Sequence, residues 1–82
     1  MWTSKDCLLV ALHCGGSCNI SGVASCFTRV HVSLLDVKKA SSEKLATISG
    51  VHNVLVRGNE MQMVVGIDAP RFATLLSKTL GK

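Results

Sequence analysis

The sequence predicts an α+β fold, an open-faced sandwich in which a four-stranded antiparallel sheet carries three helices on one face, in the order αββαββα. Three observations lead there. Residues 29–35 alternate apolar and polar side chains, as a strand with one buried face does. Two further strand-like runs flank Gly58-Asn59, a two-residue loop that closes a tight hairpin. The segment after Pro70 instead carries its apolar residues at helical spacing.

Each element follows from its local chemistry. Thr3 or Ser4 caps a first helix with Leu8, Ala11 and Leu12 on one stripe, and Gly15-Gly16 stops it. Residues 20–25 form a short strand of small residues in which Gly22 marks a bulge or a close backbone approach. In the strand over 29–35, Val30, Val32 and Leu34 face the core while Arg29, His31 and Ser33 share the other face. Ser41 or Ser42 starts a short helix whose buried side is Leu45 and Ile48, and Gly50 ends it. Strands over 51–57 and 60–66 then pair with Arg57 opposite Glu60, Val56 opposite Met61, Val54 opposite Met63 and His52 opposite Val65. The polar face of this sheet, with Gln62 and Asn53 on it, is left to solvent, and Leu55 and Val64 lie exposed among them. Asp68 caps the last helix, Pro70 sits in its first turn, and Phe72, Leu75, Leu76 and Leu80 make its apolar stripe.

At 82 residues, the chain is read as a single domain spanning 1–82. Apolar residues make up 48 %, yet Trp2, Phe27 and Phe72 are the only aromatics, so the core must be aliphatic. The longest apolar run is far too short to cross a bilayer, and the chain is expected to be soluble and cytoplasmic. A net charge of +4 permits an anionic partner, but a sheet without exposed aromatics to stack on bases speaks against nucleic acid. The four cysteines are read as free thiols, with Cys7 as a small core residue. Cys14 and Cys18 have no second ligand pair downstream, so neither metal nor other cofactor is expected.

The chemistry concentrates at Cys26. A cysteine attacks as its thiolate, and here Phe27, Thr28, Arg29 and His31 follow within five residues, at the entrance to the alternating strand. The Arg29 guanidinium, the backbone amides of the turn and the Thr28 hydroxyl would stabilise that thiolate, then grip the oxygens of a phosphoryl group attached to it. Only two residues separate Cys26 from Arg29, too few for the wrapped phosphate loop of a cysteine-dependent phosphatase. A tight strand connection suits handing a phosphoryl group between partners better than enclosing a substrate.

Three motifs in order, Gly15-Gly16 with Asn19-Ile20, then Cys26-Phe27-Thr28-Arg29-Val30-His31-Val32, then Gly58-Asn59-Glu60-Met61-Gln62-Met63-Val64-Val65-Gly66, resemble the enzyme IIB domain of the glucose and β-glucoside superfamily of the bacterial sugar phosphotransferase system. The resemblance implies that Cys26 accepts a phosphoryl group from a phosphohistidine on enzyme IIA and passes it to a sugar held by membrane enzyme IIC. It implies Phe27, Thr28, Arg29 and His31 as phosphate-binding residues, and a place at the inner face of the membrane when the domain is joined to or docked on enzyme IIC. The isolated domain is expected to be monomeric. The chain departs from the family pattern at two positions. His31 stands where the family has a second arginine, and Ser25 precedes the cysteine where Asp or His is common. An imidazole cannot copy a bidentate arginine fork. The alternative reading is therefore a IIB-like regulatory or interaction module in which Cys26 is still phosphorylated but sugar transfer is impaired.

Overall fold

In the computed structural model, which describes residues 2–81, the expected order of helices and strands is present. Helix α1 spans Ser4–His13, strands β1 and β2 span Ile20–Cys26 and Arg29–Leu34, and helix α2 spans Ser42–Ala46. Strands β3 and β4 follow at Asn53–Arg57 and Glu60–Val64, and helix α3 closes the chain at Ala69–Leu80. The sheet order is β1-β2-β4-β3, with every pairing antiparallel. The two hairpins therefore meet through β2 and β4, leaving β1 and β3 as edges.

Apolar side chains explain the layering. Val30, Val32, Leu34, Met61 and Met63 are buried on one sheet face, against Cys7, Val10 and Ala11 of α1 with Cys14 at its C-cap, and Phe72, Ala73 and Leu76 of α3. The α1 stripe differs from the expected one: Leu8 and Leu12 are exposed, at 58 % and 65 %, and the helix turns its smaller residues inward. Positions 7, 10, 11 and 14 are also helically spaced. Small cysteines and an alanine let α1 sit close to α3, which contributes the larger Phe72. The Phe72 ring stacks on Trp2 with centroids 3.9 Å apart. Helix α2 ends earlier than expected, at Ala46 with Thr47 as its C-cap, and Gly50 instead, at φ +96°, makes room for the indole, since a Cβ there would meet the Trp2 ring at 3.0 Å.

The strand ends differ from expectation for a traceable reason. The Val65 and Gly66 amides leave the ladder and both donate to the Thr28 carbonyl, at 2.9 and 3.1 Å, which ends β4 at Val64. His52 still donates to Val64 O, but β3 proper begins at Asn53, so the expected His52–Val65 pair lies beyond the strands. Leu35 projects into solvent beyond β2. The other hairpin pairs stand in the expected register, Arg57 with Glu60, Val56 with Met61 and Val54 with Met63. The bulge falls where Gly22 suggested, between Ile20 and Gly22.

Capping accounts for the helix starts. Thr3 and Asp6 form a reciprocal capping box on α1, and the Ser41 hydroxyl accepts from Lys44 N at the head of α2. Asp68 occupies the N-cap of α3 but its side chain makes no cap hydrogen bond, so Pro70 and burial of the helix carry that end. Asn19, buried between α1 and the loop after β2, donates to the Cys14 and Asp36 carbonyls at 2.7 and 2.9 Å and accepts from Asp36 N. This clasp explains the Gly-Gly-x-x-Asn pattern. A Cβ on Gly15 would come within 2.8 Å of the Asn19 amide nitrogen.

Candidate functional site

Cys26 ends β1 and pairs directly with Arg29, the first residue of β2, so the loop between them is Phe27-Thr28 alone. Two-residue hairpins demand a residue with positive φ, usually glycine. Here Phe27 takes φ +54°, the one described non-glycine residue with positive φ, and its ring is 90 % exposed. Cys26, Thr28 and Arg29 are exposed as well. The turn is held from behind by the bonds of Val65 and Gly66 to the Thr28 carbonyl, which couple the start of the loop into α3 to the cysteine turn.

The open sheet face arranges its side chains in rows set by the register. Cys26, Arg29, Val64 and Asn53 form one row, and Ala24, His31, Gln62 and Leu55 form the next. Arg29 and His31 thus lie on the face of Cys26, as the alternation of β2 implied. Their partners come from β4. Arg29 Nη1 donates to Gln62 Oε1 at 3.2 Å, Gln62 Nε2 donates to Glu60 Oε1 at 2.9 Å, and His31 Nδ1 lies 2.8 Å from that same oxygen. A carboxylate only accepts, so Nδ1 carries the proton, and Nε2 is buried without a partner. The hydrogen bond from His31, with that from Gln62, holds the Glu60 carboxyl below its ordinary range.

This network changes the expected picture of the face. Gln62 is only 4 % exposed, covered rather than left to solvent, and Leu55 and Val64 are half-buried. The hairpin pattern puts Gln62 on the polar face and Glu60 opposite Arg57, but their engagement with Arg29 and His31 depends on β2 lying next to β4. The signal available in sequence was the repeated alternation of the two strands, which leaves their adjacency open. The remaining thiols separate cleanly. Cys7 and Cys14 are buried in the core, and burial pushes the Cys14 thiol up to about 12 and raises Cys7 as well, whereas Cys18 is exposed in the turn after α1. Among the described residues no cluster of side chains is arranged to hold a metal ion, and no helix is long and apolar enough to cross a membrane.

The structure is thus a small domain of the open-faced sandwich class, a four-stranded sheet with an exposed cysteine at a hairpin corner. Comparison with known proteins makes the class specific. No family model matches the chain. The chain is 37 % identical over 57 residues to the PTS system alpha-glucoside-specific EIICB component of Klebsiella pneumoniae, a match covering 70 % of this chain and 11 % of that protein. It is 31 % identical over 68 residues to the maltose-specific EIICB component of Bacillus subtilis, covering 83 % of this chain and 13 % of the relative. With the beta-glucoside-specific EIIBCA component of the same organism it shares 34 % over 68 residues, 83 % of this chain and 11 % of the relative. Its fold is that of a solved domain of the PTS system IIabc component from Clostridium difficile, with a TM-score of 0.69 over 98 % of this chain and 84 % of that one at 17 % identity. The chain belongs to the IIB domains of the glucose superfamily of the sugar phosphotransferase system. It spans about a tenth of the length of the curated relatives it matches.

Proposed function

We propose that this domain is a phosphoryl carrier in which Cys26 takes a phosphoryl group from a phosphohistidine of an enzyme IIA and gives it to a sugar held by a membrane enzyme IIC. The observation that carries the reading is the exposed Cys26 at a two-residue hairpin corner, paired with Arg29, within a IIB-type chain. The thiolate attacks phosphorus, the S–P bond forms as the N–P bond breaks, and the departing imidazole nitrogen keeps the electron pair. In the second step a sugar hydroxyl oxygen attacks the phosphocysteine, the O–P bond forms as the S–P bond breaks, the sulfur leaves as thiolate and the hydroxyl proton is released to water. The amides of the Phe27-Thr28 turn, the Thr28 hydroxyl and the Arg29 guanidinium are the donors for the phosphoryl oxygens. Gln62 holds Arg29 on the cysteine's face while leaving the rest of its guanidinium free to donate. In this reading the domain works as one unit at the inner face of the membrane, joined to or docked on its IIC partner, and needs no cofactor.

The reading is tested by incubating the chain with phosphoenolpyruvate, the general phosphotransferase proteins and a phosphorylated glucose-superfamily IIA. Intact mass should show one added phosphoryl group, absent from Cys26→Ser. An unlabelled wild-type chain contradicts the proposal.

His31 supports a second reading of the later step. Its ring is bound to the Glu60 carboxylate, which offsets any positive charge it carries, so among the described residues the cation in register with the thiol is Arg29. We propose that Cys26 is phosphorylated normally but that transfer to sugar is slow, as suits a regulatory or interaction module. His31→Arg should then speed transfer from phosphorylated chain to sugar by about 10-fold, the scale of one well-placed charge-assisted hydrogen bond. An unchanged rate removes this second reading.

A further inference from the structure

The two edges of the sheet are finished differently. On β3, Asn53 Oδ1 accepts from the Val54 amide at 2.9 Å, satisfying a backbone donor that faces outward, and Arg57 places a charge on the same edge. These are the means by which proteins keep a sheet edge from recruiting another strand. Strand β1 has none of them beyond its bulge: from Ile20 to Cys26 it carries no charge and no proline. Because Cys26 and Arg29 close a two-residue hairpin as a hydrogen-bonded pair, Cys26 and Ala24 turn their backbone groups toward β2. The N–H and C=O of Val23 and Ser25 therefore point outward.

Below that edge lies an open groove of about 510 Å³ between β1 and α3. Its floor is made of small α3 side chains, Ala73, Thr74 and Ser77, and among the described residues Lys78 is its one charged lining residue. We infer that the β1 edge is a docking site for an extended segment of a partner protein, which adds as a fifth strand with small apolar side chains over the groove and a carboxylate opposite Lys78. Strand addition supplies main-chain hydrogen bonds for affinity, and the groove reads alternate side chains. Charge complementarity selects this occupant over a second copy, because Lys78 favours an acidic segment while a chain of net charge +4 repels another copy of itself. A segment docked there ends beside the Cys26 thiol, so the edge ties partner recognition to the reactive corner. The inference rests on the sheet edge and is independent of whether Cys26 carries a phosphoryl group.

The test uses the unphosphorylated chain and a short acetylated peptide of alternating valine and threonine ending in two aspartates, followed by amide hydrogen exchange. At saturation the Val23 and Ser25 amides should exchange ~10-fold more slowly, with no added protection at Val54 or Val56. The same peptide N-methylated at alternate residues should give no protection, and Lys78→Glu should weaken binding of the unmethylated peptide ~5-fold. No protection with the first peptide, protection that survives N-methylation, or affinity unchanged in Lys78→Glu overturns the inference. So does protection of Val23 and Ser25 that rises with protein concentration without peptide, which would make a second copy the occupant.

Discussion

Phe27 shows the tension between local backbone chemistry and the site. A non-glycine residue in the left-handed region costs roughly 1–2 kcal/mol, and at 90 % exposure the Phe27 ring recovers little by packing. Phe27→Gly should therefore stabilise the domain by about 1 kcal/mol, seen as a higher urea midpoint at unchanged slope. Equal or lower stability would mean that the ring makes contacts worth more than the strain. The Cys26–Arg29 pairing was legible in sequence because a two-residue connection leaves only one register. The strain at Phe27 was not, because which loop residue takes positive φ is a property of the closed hairpin. Nor were the bonds of Arg29 to Gln62 and of His31 to Glu60, since they cross between hairpins more than twenty residues apart in sequence.

Among the elements, the β3–β4 hairpin could be read pair by pair, because Gly58-Asn59 sets its register and the apolar face then follows. Helix α1 could not. Its leucines are larger than its cysteines and suggest a stripe of their own, and only the approach of α3 decides that the small residues turn inward. The β2–β4 seam carries the polar pair that pH can probe. The Glu60 carboxyl is held below its ordinary value of 4.5 by the His31 hydrogen bond. A carboxylate with a depressed folded value contributes stability that is complete above its unfolded value and is lost as pH falls through the folded one. The advantage of wild type over Glu60→Gln should hold steady just above pH 4.5 and shrink steadily below it, as urea midpoints of the two proteins across the acid range will report. With Glu60 partly exposed the effect is small, and a difference that persists undiminished at the acid end would place the stabilisation elsewhere.

For the whole molecule, the order of elements and the division into one sheet and three helices were legible because each element carries its own period or turn signal. The joining of the hairpins through β2 and β4 was not, since either edge of each hairpin can satisfy the same alternation. One aromatic anchors the result. Phe72 of α3 is fully buried in the core and stacks on Trp2, and truncating such a residue costs about 3–5 kcal/mol. In a domain this short, with total stability toward the low end of about 5–15 kcal/mol, Phe72→Ala should leave a substantial unfolded fraction at room temperature, read as lost α-helical circular dichroism and a red-shifted Trp2 emission. A variant as well folded as wild type would show that the core tolerates the cavity. The central claim concerns a single atom, the Cys26 sulfur. After phosphotransfer from a phosphorylated IIA, tandem mass spectrometry of the chain, digested under conditions that preserve the S–P bond, should place the phosphoryl group on Cys26 and on no other residue. A phosphoryl group found on His31, Cys18 or any other side chain, with Cys26 unmodified, would contradict the account.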